Sequence, residues 1–336
     1  MDARSRILAY LARRNSASGG ELRSHLGVSR QALSVHVRSL VDAGKVVRSG
    51  AGRGARYMLR NRAPAASVVA RKLRTRGLDE DRVWDEIATG LNLSRGLRPN
   101  VGAIAHYAFT EMLNNAIEHS RAKTCSVRFG LEPGSLFFEV RDAGIGVFHS
   151  IASKLRLESE HLALVELLKG RTTTMREAHS GEGIFFTARA ADRFVLRSHH
   201  IQMEWNRVKD DVFVSNPRFL KGTSVSFSVQ RSSQSRLEQV FGEFAPEEYD
   251  FQFQKTRVLV KLLRRDYVSR SEAKRLLANL DKFSEVVLDF RDVSSVGQGF
   301  ADEVFRVFAR RHPGTRISTE NASPAVDAMV RHVGPQ

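Results

Sequence analysis

The sequence predicts an α+β chain of several domains. Three observations carry that expectation. The first 62 residues read as short helices followed by two strand-length runs. The middle of the chain mixes amphipathic helices with apolar strands that end in glycine turns. Residues 250–336 alternate strand and helix. At 336 residues the chain has room for two or three domains, and a 42% hydrophobic content supports real cores.

Composition narrows the function classes. No apolar run approaches the ~20 residues that a membrane span needs. The opening MDARSRILAY lacks the apolar stretch of a signal peptide. A single cysteine, Cys125, excludes an internal disulfide, and its alternating surroundings TCSVRFGL suit a buried thiol on a strand. The expectation is a cytoplasmic protein without membrane contact. The net charge is +16, and residues 1–62 hold thirteen Arg and Lys against three Asp and Glu. Basic charge concentrated at one end is the electrostatic footprint of a polyanion partner, with double-stranded DNA the leading candidate.

The N-terminal elements follow in order. SRILAYLARRN places Ile7, Leu8 and Leu11 on a helical stripe. A second helix covers about 20–26 and breaks at Gly27. A third starts after Ser29, a good N-cap, with Leu33, Val37, Leu40 and Val41 toward the core and Gly44 as its stop. KVVRSG and ARYMLR then form a hairpin around AGRGA. This layout over residues 1–62 resembles the winged helix-turn-helix family. The resemblance implies that the third helix enters the major groove with Arg30, Gln31, Ser34 and Arg38 outward. Arg30 or Arg38 then suits guanine and Gln31 suits adenine. Arg53 and Arg56 in the wing suit phosphate or the minor groove. A minority of winged helices bind protein instead. Residues 63–94 read as a linker running into a connecting or dimerising helix, with Trp84 and Ile87 on its apolar side.

The middle segment, 95–230, carries the most specific signal. HYAFTEMLNNAIEHS sets Glu111 and Asn115 about one helical turn apart on one face. FFEVRDAGIGV delivers Asp142 from a strand into a D-x-G-x-G turn with Gly144 and Gly146. HSGEGIFF offers Gly181 and Gly183 at a helix mouth, and KGTSVSFSV places Thr223 at a strand start. A carboxylate can accept a proton beside a phosphate. An amide oxygen suits Mg²⁺. A buried carboxylate can hold an adenine amino group, and helix N-termini attract phosphate. Each item alone is weak, but their order and context agree. The segment resembles the Bergerat-fold ATPases, the gyrase, chaperone, histidine kinase and MutL (GHKL) superfamily. E-M-L-N-N-A-I-E-H is especially similar to the corresponding box of the anti-sigma-factor serine kinases. The resemblance implies an α/β sandwich binding ATP with Mg²⁺. It makes Glu111 the base, Asn115 the metal ligand, and Asp142, Gly144, Gly146, Gly181, Gly183 and Thr223 the nucleotide contacts. It also implies an ATP lid over about 148–179, in which Lys169, Arg171, Thr172, Thr173 and Thr174 close over phosphates.

In the C-terminal segment, RVLVKLL, SEVVLDFRDV and TRISTEN are strand-like. RSEAKRLLANL, GQGFADEVFRVFARRHP and SPAVDAMVRHV are helical. Residues 250–336 resemble a STAS-like domain, which implies a protein partner or a phosphoacceptor serine at a helix start. Here that start reads Gly297-Gln298-Gly299, with Ser294 and Ser295 slightly earlier.

The expected whole is winged helix, Bergerat-type ATPase and small STAS-like α/β domain in that order. It reads as a homodimeric transcription regulator in which ATP–Mg²⁺ switches DNA or partner binding. The alternatives are a serine/threonine kinase of the anti-sigma type acting on a STAS-like domain, and a pseudo-enzyme that binds ATP without turnover.

Overall fold

A computed structural model describes residues 2–14, 16–43, 45–49, 55–59, 67–170, 182–245, 254–262 and 267–333. The N-terminal elements are α1 (Ala3–Ala12), β1 (Ala17–Ser18), α2 (Gly19–Leu26), α3 (Arg30–Asp42), β2 (Val46–Ser49) and β3 (Arg56–Leu59). Ser18 and Glu21 form a reciprocal capping box on α2, and Gly27 ends it in the left-handed region. The Ser29 hydroxyl accepts the Ala32 N–H at 3.2 Å and starts α3 as expected. Ile7, Leu11, Leu22, Leu33, Val37 and Leu40 close a core of their own. The small sheet has the order β1-β3-β2. Strand β1 was not foreseen, because two residues carry no periodicity. Gly44 and Arg53 lie outside the described residues.

One expectation is overturned directly after this domain. Ser67–Arg74, read as the start of a connecting helix, forms strand β4 and pairs antiparallel with β5 (Thr124–Glu132) along its whole length. Val69, Arg71 and Leu73 alternate with Val68, Ala70 and Lys72. A partner edge satisfies the backbone groups that an isolated helix would have satisfied internally. The helical part of that stretch is α4 (Glu80–Gly90), capped by Asp79. It buries Val83, Trp84 and Ile87 against the sheet layer.

The elements that follow are α5 (Leu93–Gly96), α6 (Pro99–Glu118), β6 (Ser135–Asp142), α7 (Val147–Leu155), α8 (Glu160–Lys169), α9 (Glu182–Ala190), β7 (Arg193–His199), β8 (Ile201–Asn206), β9 (Asp211–Ser215), β10 (Leu220–Gln230) and α10 (Leu237–Phe244). The strands make one antiparallel seven-stranded sheet, β4-β5-β6-β10-β7-β8-β9. Helices α4, α6 and α9 pack together in a layer on it. The 20-residue α6 is the central helix. Its Phe109 meets Phe129 and Phe138 edge-on at 5.5 Å, and Phe138 stacks on Phe227 at 4.8 Å, so rings from α6, β5, β6 and β10 form one buried column.

The C-terminal domain contains β11 (Lys255–Leu259), α11 (Arg270–Leu277), β12 (Glu285–Asp289), α12 (Gln298–Asp302), α13 (Ala309–Arg311), β13 (Arg316–Glu320) and α14 (Pro324–Val333). A π-helical stretch, Glu303–Phe308, joins α12 to α13. The strands form a parallel sheet, β11-β12-β13, covered by helices. The strand and helix alternation matches the sequence reading.

This domain is not a tethered bead. Its buried side chains are continuous with those of the seven-stranded domain. The Thr256 hydroxyl donates to the Lys169 carbonyl at 2.7 Å. Lys169 Nζ bonds Glu166 at 2.6 Å and the Ala278 carbonyl at 2.8 Å, while Asn279 donates to the other Glu166 oxygen at 3.0 Å. The Lys169 and Glu166 side chains are 2% and 6% exposed, so a complete ion pair sits inside the joint. Burial pulls the Lys169 pKa down, and Glu166 opposes that pull. Lys169 is therefore a structural cation, not the phosphate-facing lid residue expected from its neighbours. Arg171 and Thr172–Thr174 lie outside the described residues.

Removing one partner of such a pair strands a buried charge, at a cost of about 3–5 kcal/mol. Lys169→Ala is expected to lower the thermal midpoint strongly, whereas Arg275→Ala, at the exposed Arg275–Glu158 pair of the same joint, leaves it nearly unchanged. Calorimetry of the two variants checks the contrast.

Candidate functional site

Four elements bring most of the sequence-predicted residues together. α6 carries Glu111 and Asn115. The Asn115 side-chain N–H donates to the Glu111 carbonyl at 2.8 Å. A carbonyl can only accept, so this bond assigns the amide orientation and leaves Asn115 Oδ1 an acceptor with no hydrogen-bond partner among the described residues. The Glu111 carboxylate lies against the backbone of Gly183 in the first turn of α9, where a Cβ would collide with its Oε2. Any larger residue at 183 would have to push the Glu111 carboxylate aside. Gly181, expected one step earlier, is outside the described residues.

Asp142 ends β6 and is buried. Its Oδ1 accepts the Gly144 N–H at 2.8 Å and the Thr223 N–H at 3.4 Å. Burial raises the carboxyl pKa, and the backbone N–H bonds hold part of that rise back. Thr223, on β10, accepts the Val147 N–H through its hydroxyl at 3.0 Å. It therefore fixes the N-terminus of α7, with Gly146 as the cap. The D-x-G-x-G loop is bolted to the end of α6 where the Ile145 N–H donates to the Ser120 carbonyl at 2.9 Å. At Gly144 a Cβ would overlap that same carbonyl.

Three neighbours escaped the sequence reading. Ser120 turns its hydroxyl back to the Ala116 carbonyl at 2.6 Å and receives the Ala122 N–H at 2.9 Å, closing the helix end. Tyr107, one turn before Glu111, has its hydroxyl pKa raised by burial and then by Glu111 and Glu182, which marks a shared acidic neighbourhood. His199 packs beside Gly146 and bonds Glu160 at 2.7 Å. Ser120 and Tyr107 were detectable from their spacing along the motif helix, whereas His199 is brought in by the sheet.

The basic N-terminal domain presents a second face. Arg30, Gln31, Ser34 and Arg38 are all exposed on α3, opposite buried Leu33, Val37 and Leu40. Val35 shares that face and is 63% exposed, as its offset from Leu33 and Val37 dictates. Arg56 is exposed, but its guanidinium is held by Ser16, at 2.8 Å to the hydroxyl and 3.2 Å to the carbonyl. The wing role expected of it competes with that clamp. Arg53 lies outside the described residues.

Comparison with known families agrees with this order. The MarR family model matches residues 2–56, the histidine kinase-like ATPase domain matches 58–205, and a STAS-like domain of unknown function matches 272–327. A comparison with curated proteins finds no match. The chain thus contains a MarR-like winged helix, a histidine kinase-like ATPase domain and a STAS-like domain, in that sequence. The middle match begins before β4, in keeping with β4 as part of the large sheet. A domain of that description implies ATP binding. Among the described residues no helix is long and apolar enough to cross a membrane, and no group of three or more His, Cys, Asp or Glu is placed to hold a metal by itself.

Cys125 faces Asp142 across the β5–β6 pair. Burial and the Asp142 charge push its thiol up to about 11. The thiolate fraction is then negligible at neutral pH, so maleimide labelling of the native chain is expected to be slow and to accelerate only as pH approaches that value. Mass spectrometry of timed labelling checks this. Rapid labelling at pH 7 in the folded state contradicts it.

Proposed function

We propose that the chain is an ATP-responsive, DNA-binding transcription regulator that acts as a homodimer. One observation carries the reading: the buried Asp142 junction and the Glu111–Asn115 helix form one hydrogen-bonded unit, in a chain whose basic helix α3 is turned outward. The Asp142 oxygen not used by backbone N–H groups accepts the adenine amino group. The close approach at Gly144 gives the flat base room. The Asn115 Oδ1 fits Mg²⁺ on grounds of its chemistry, a neutral oxygen with no partner among the described residues. Bound Mg²⁺ neutralises phosphate charge there. Glu111 orients and deprotonates a water or a hydroxyl, and Gly183 keeps the α9 N–H groups near the phosphates.

The switch follows from the joint. Thr256 and the Glu166–Lys169 pair hold the C-terminal end of α8, and α8 packs against α9. Nucleotide binding at Gly183 and partner binding at the STAS-like domain therefore act on one connected stretch. If ATP changes DNA affinity, DNA must change ATP affinity by the same factor. On DNA, Arg30, Gln31, Ser34 and Arg38 read base edges in the major groove, and Val35 suits a thymine methyl. Two copies reading paired half-sites account for the dimer.

Titration of operator DNA with and without ATP–Mg²⁺ at fixed salt is expected to give different affinities, and equal affinities refute the switch. Arg38→Ala is expected to cost about 1–3 kcal/mol of specific binding. Incubation with labelled ATP separates turnover types: phosphate recovered on Ser294 or Ser295 assigns a serine kinase, and release to water assigns a switch ATPase.

Asp142→Asn supplies a pH test. The folded state holds this proton more tightly than the unfolded chain, whose aspartate titrates near 3.9. Ionisation therefore removes stability as pH rises through the window above that value. Asp142→Asn is expected to match or exceed the wild-type thermal midpoint at pH 7 and to abolish the calorimetric heat of ATP binding. Retained ATP heat in a folded variant rejects the adenine contact.

A further inference from the structure

A cleft opens where α9, α10 and β8 meet β11 of the C-terminal domain. Arg189, Trp205, Arg207, Arg236, Glu243 and Arg257 contribute to its lining. Two of these cations are committed elsewhere. Arg257 pairs with Asp289 at 3.4 Å and Asp210 at 3.7 Å, and Arg207 pairs with Asp192 at 3.8 Å. Arg189 and Arg236 are different. Among the described residues neither guanidinium has a hydrogen-bond or ion-pair partner.

Arg189 is the more demanding of the two. Its guanidinium lies 4.3 Å from the Trp205 ring, 5.3 Å from Phe185 and 5.5 Å from Phe244. Burial pulls its pKa down to about 10, with Glu243, Asp210 and Asp289 only partly opposing, so it stays charged at neutral pH. Aromatic faces stabilise a cation but accept none of its five N–H donors. Beside it, the Trp205 indole N–H is buried with no acceptor, on a residue only 6% exposed. Buried donors without acceptors are costly, and native structures leave few of them. The Trp205 indole is such a donor, the half-buried Arg189 guanidinium has no hydrogen-bonded acceptor among the described residues, and the lining sets four arginines against Glu243 and Asp210, so its balance is positive.

We propose that the cleft binds a small molecule bearing a phosphate or carboxylate group. An oxyanion offers several lone pairs at once, so it can take N–H bonds from Arg189 and from the Trp205 indole while Arg236 closes over it from the rim. The site is separate from the nucleotide residues and lies at the other end of α9. Gly183 meets Glu111 in the first turn of that helix, and Arg189 is its penultimate residue. Arg257 belongs to β11, so the same ligand touches the joint between the two domains. The cleft is thus an effector site for a small anion.

Trp205 itself reports occupancy. The full chain is titrated with inorganic phosphate, a sugar bisphosphate or citrate, against sodium chloride at matched ionic strength, reading tryptophan emission and the thermal midpoint. A saturable emission change with a raised midpoint is expected from at least one probe. Response to the phosphates alone assigns a phosphate ester, and response to citrate alone assigns a carboxylate. The response is expected to persist in Asp142→Asn, so loss of the ATP reading leaves this one standing. Arg189→Met and Arg236→Ala are each expected to weaken binding by about tenfold or more, the loss of roughly one charge-assisted hydrogen bond. Arg236 is exposed, so its variant stays informative if Arg189→Met fails to fold. No saturable change with any probe, or equal affinity in the folded variants, overturns the site.

Discussion

The close approach of the end of α6 to the loop after β6 is the constraint on which the rest of the middle domain turns. There the Ile145 N–H reaches the Ser120 carbonyl, and Gly144 has no space for a side chain. That contact sets the height of α6 over the sheet, and with it the positions of Glu111 and Asn115. It also holds the loop in which Asp142 gathers the Gly144 and Thr223 N–H groups. The aromatic column of Phe109, Phe129, Phe138 and Phe227 carries the load behind it. Edge-to-face and stacked pairs of this kind add about 0.5–1.5 kcal/mol each beyond their burial. The polar junction is therefore held by an apolar support that contains none of its chemistry.

The same logic extends to the joint with the C-terminal domain. A Glu–Lys pair, an asparagine and a threonine satisfy one another and two backbone carbonyls in a nearly dry setting. Around it, Lys261 joins Asp211 at 2.7 Å and Asp292 at 2.8 Å, while Arg291 reaches Asp210. Apolar packing alone would tolerate sliding of one domain on the other. A buried polar set does not, because any slip leaves a charge without its partner. The joint therefore fixes the C-terminal end of α8 against the C-terminal domain.

Legibility in the sequence divided along the range of the interactions. α2 and α3 were readable to within a residue or two, since Ser18, Glu21, Gly27 and Ser29 are local caps and stops. The alternating strands and helices of the C-terminal domain were readable for the same reason. Ser67–Arg74 was misread because VVARKLR satisfies a helical and an alternating pattern about equally, and only the open edge of β5 decides between them. Lys169 was misread because glycine and threonine neighbours suggest a loop cation, whereas its partners Ala278 and Thr256 are far along the chain. Arg56, expected as a wing contact, also bonds Ser16, a partner that no local pattern announces.

By itself the sequence determined the order of the domains, the basic character of the first one, and the residue types Glu111, Asn115, Asp142 and Thr223 that make a nucleotide site chemically reasonable. Those signals are short-range, written in caps, periodicities and charge. Only the tertiary structure decided that Gly183 abuts Glu111, that the Asn115 amide N–H turns to the Glu111 carbonyl, that Lys169 belongs to a domain joint and that Arg189 and Trp205 share a cleft. Each of these depends on side chains that meet through packing of separate elements, and no local pattern in the chain encodes such a meeting.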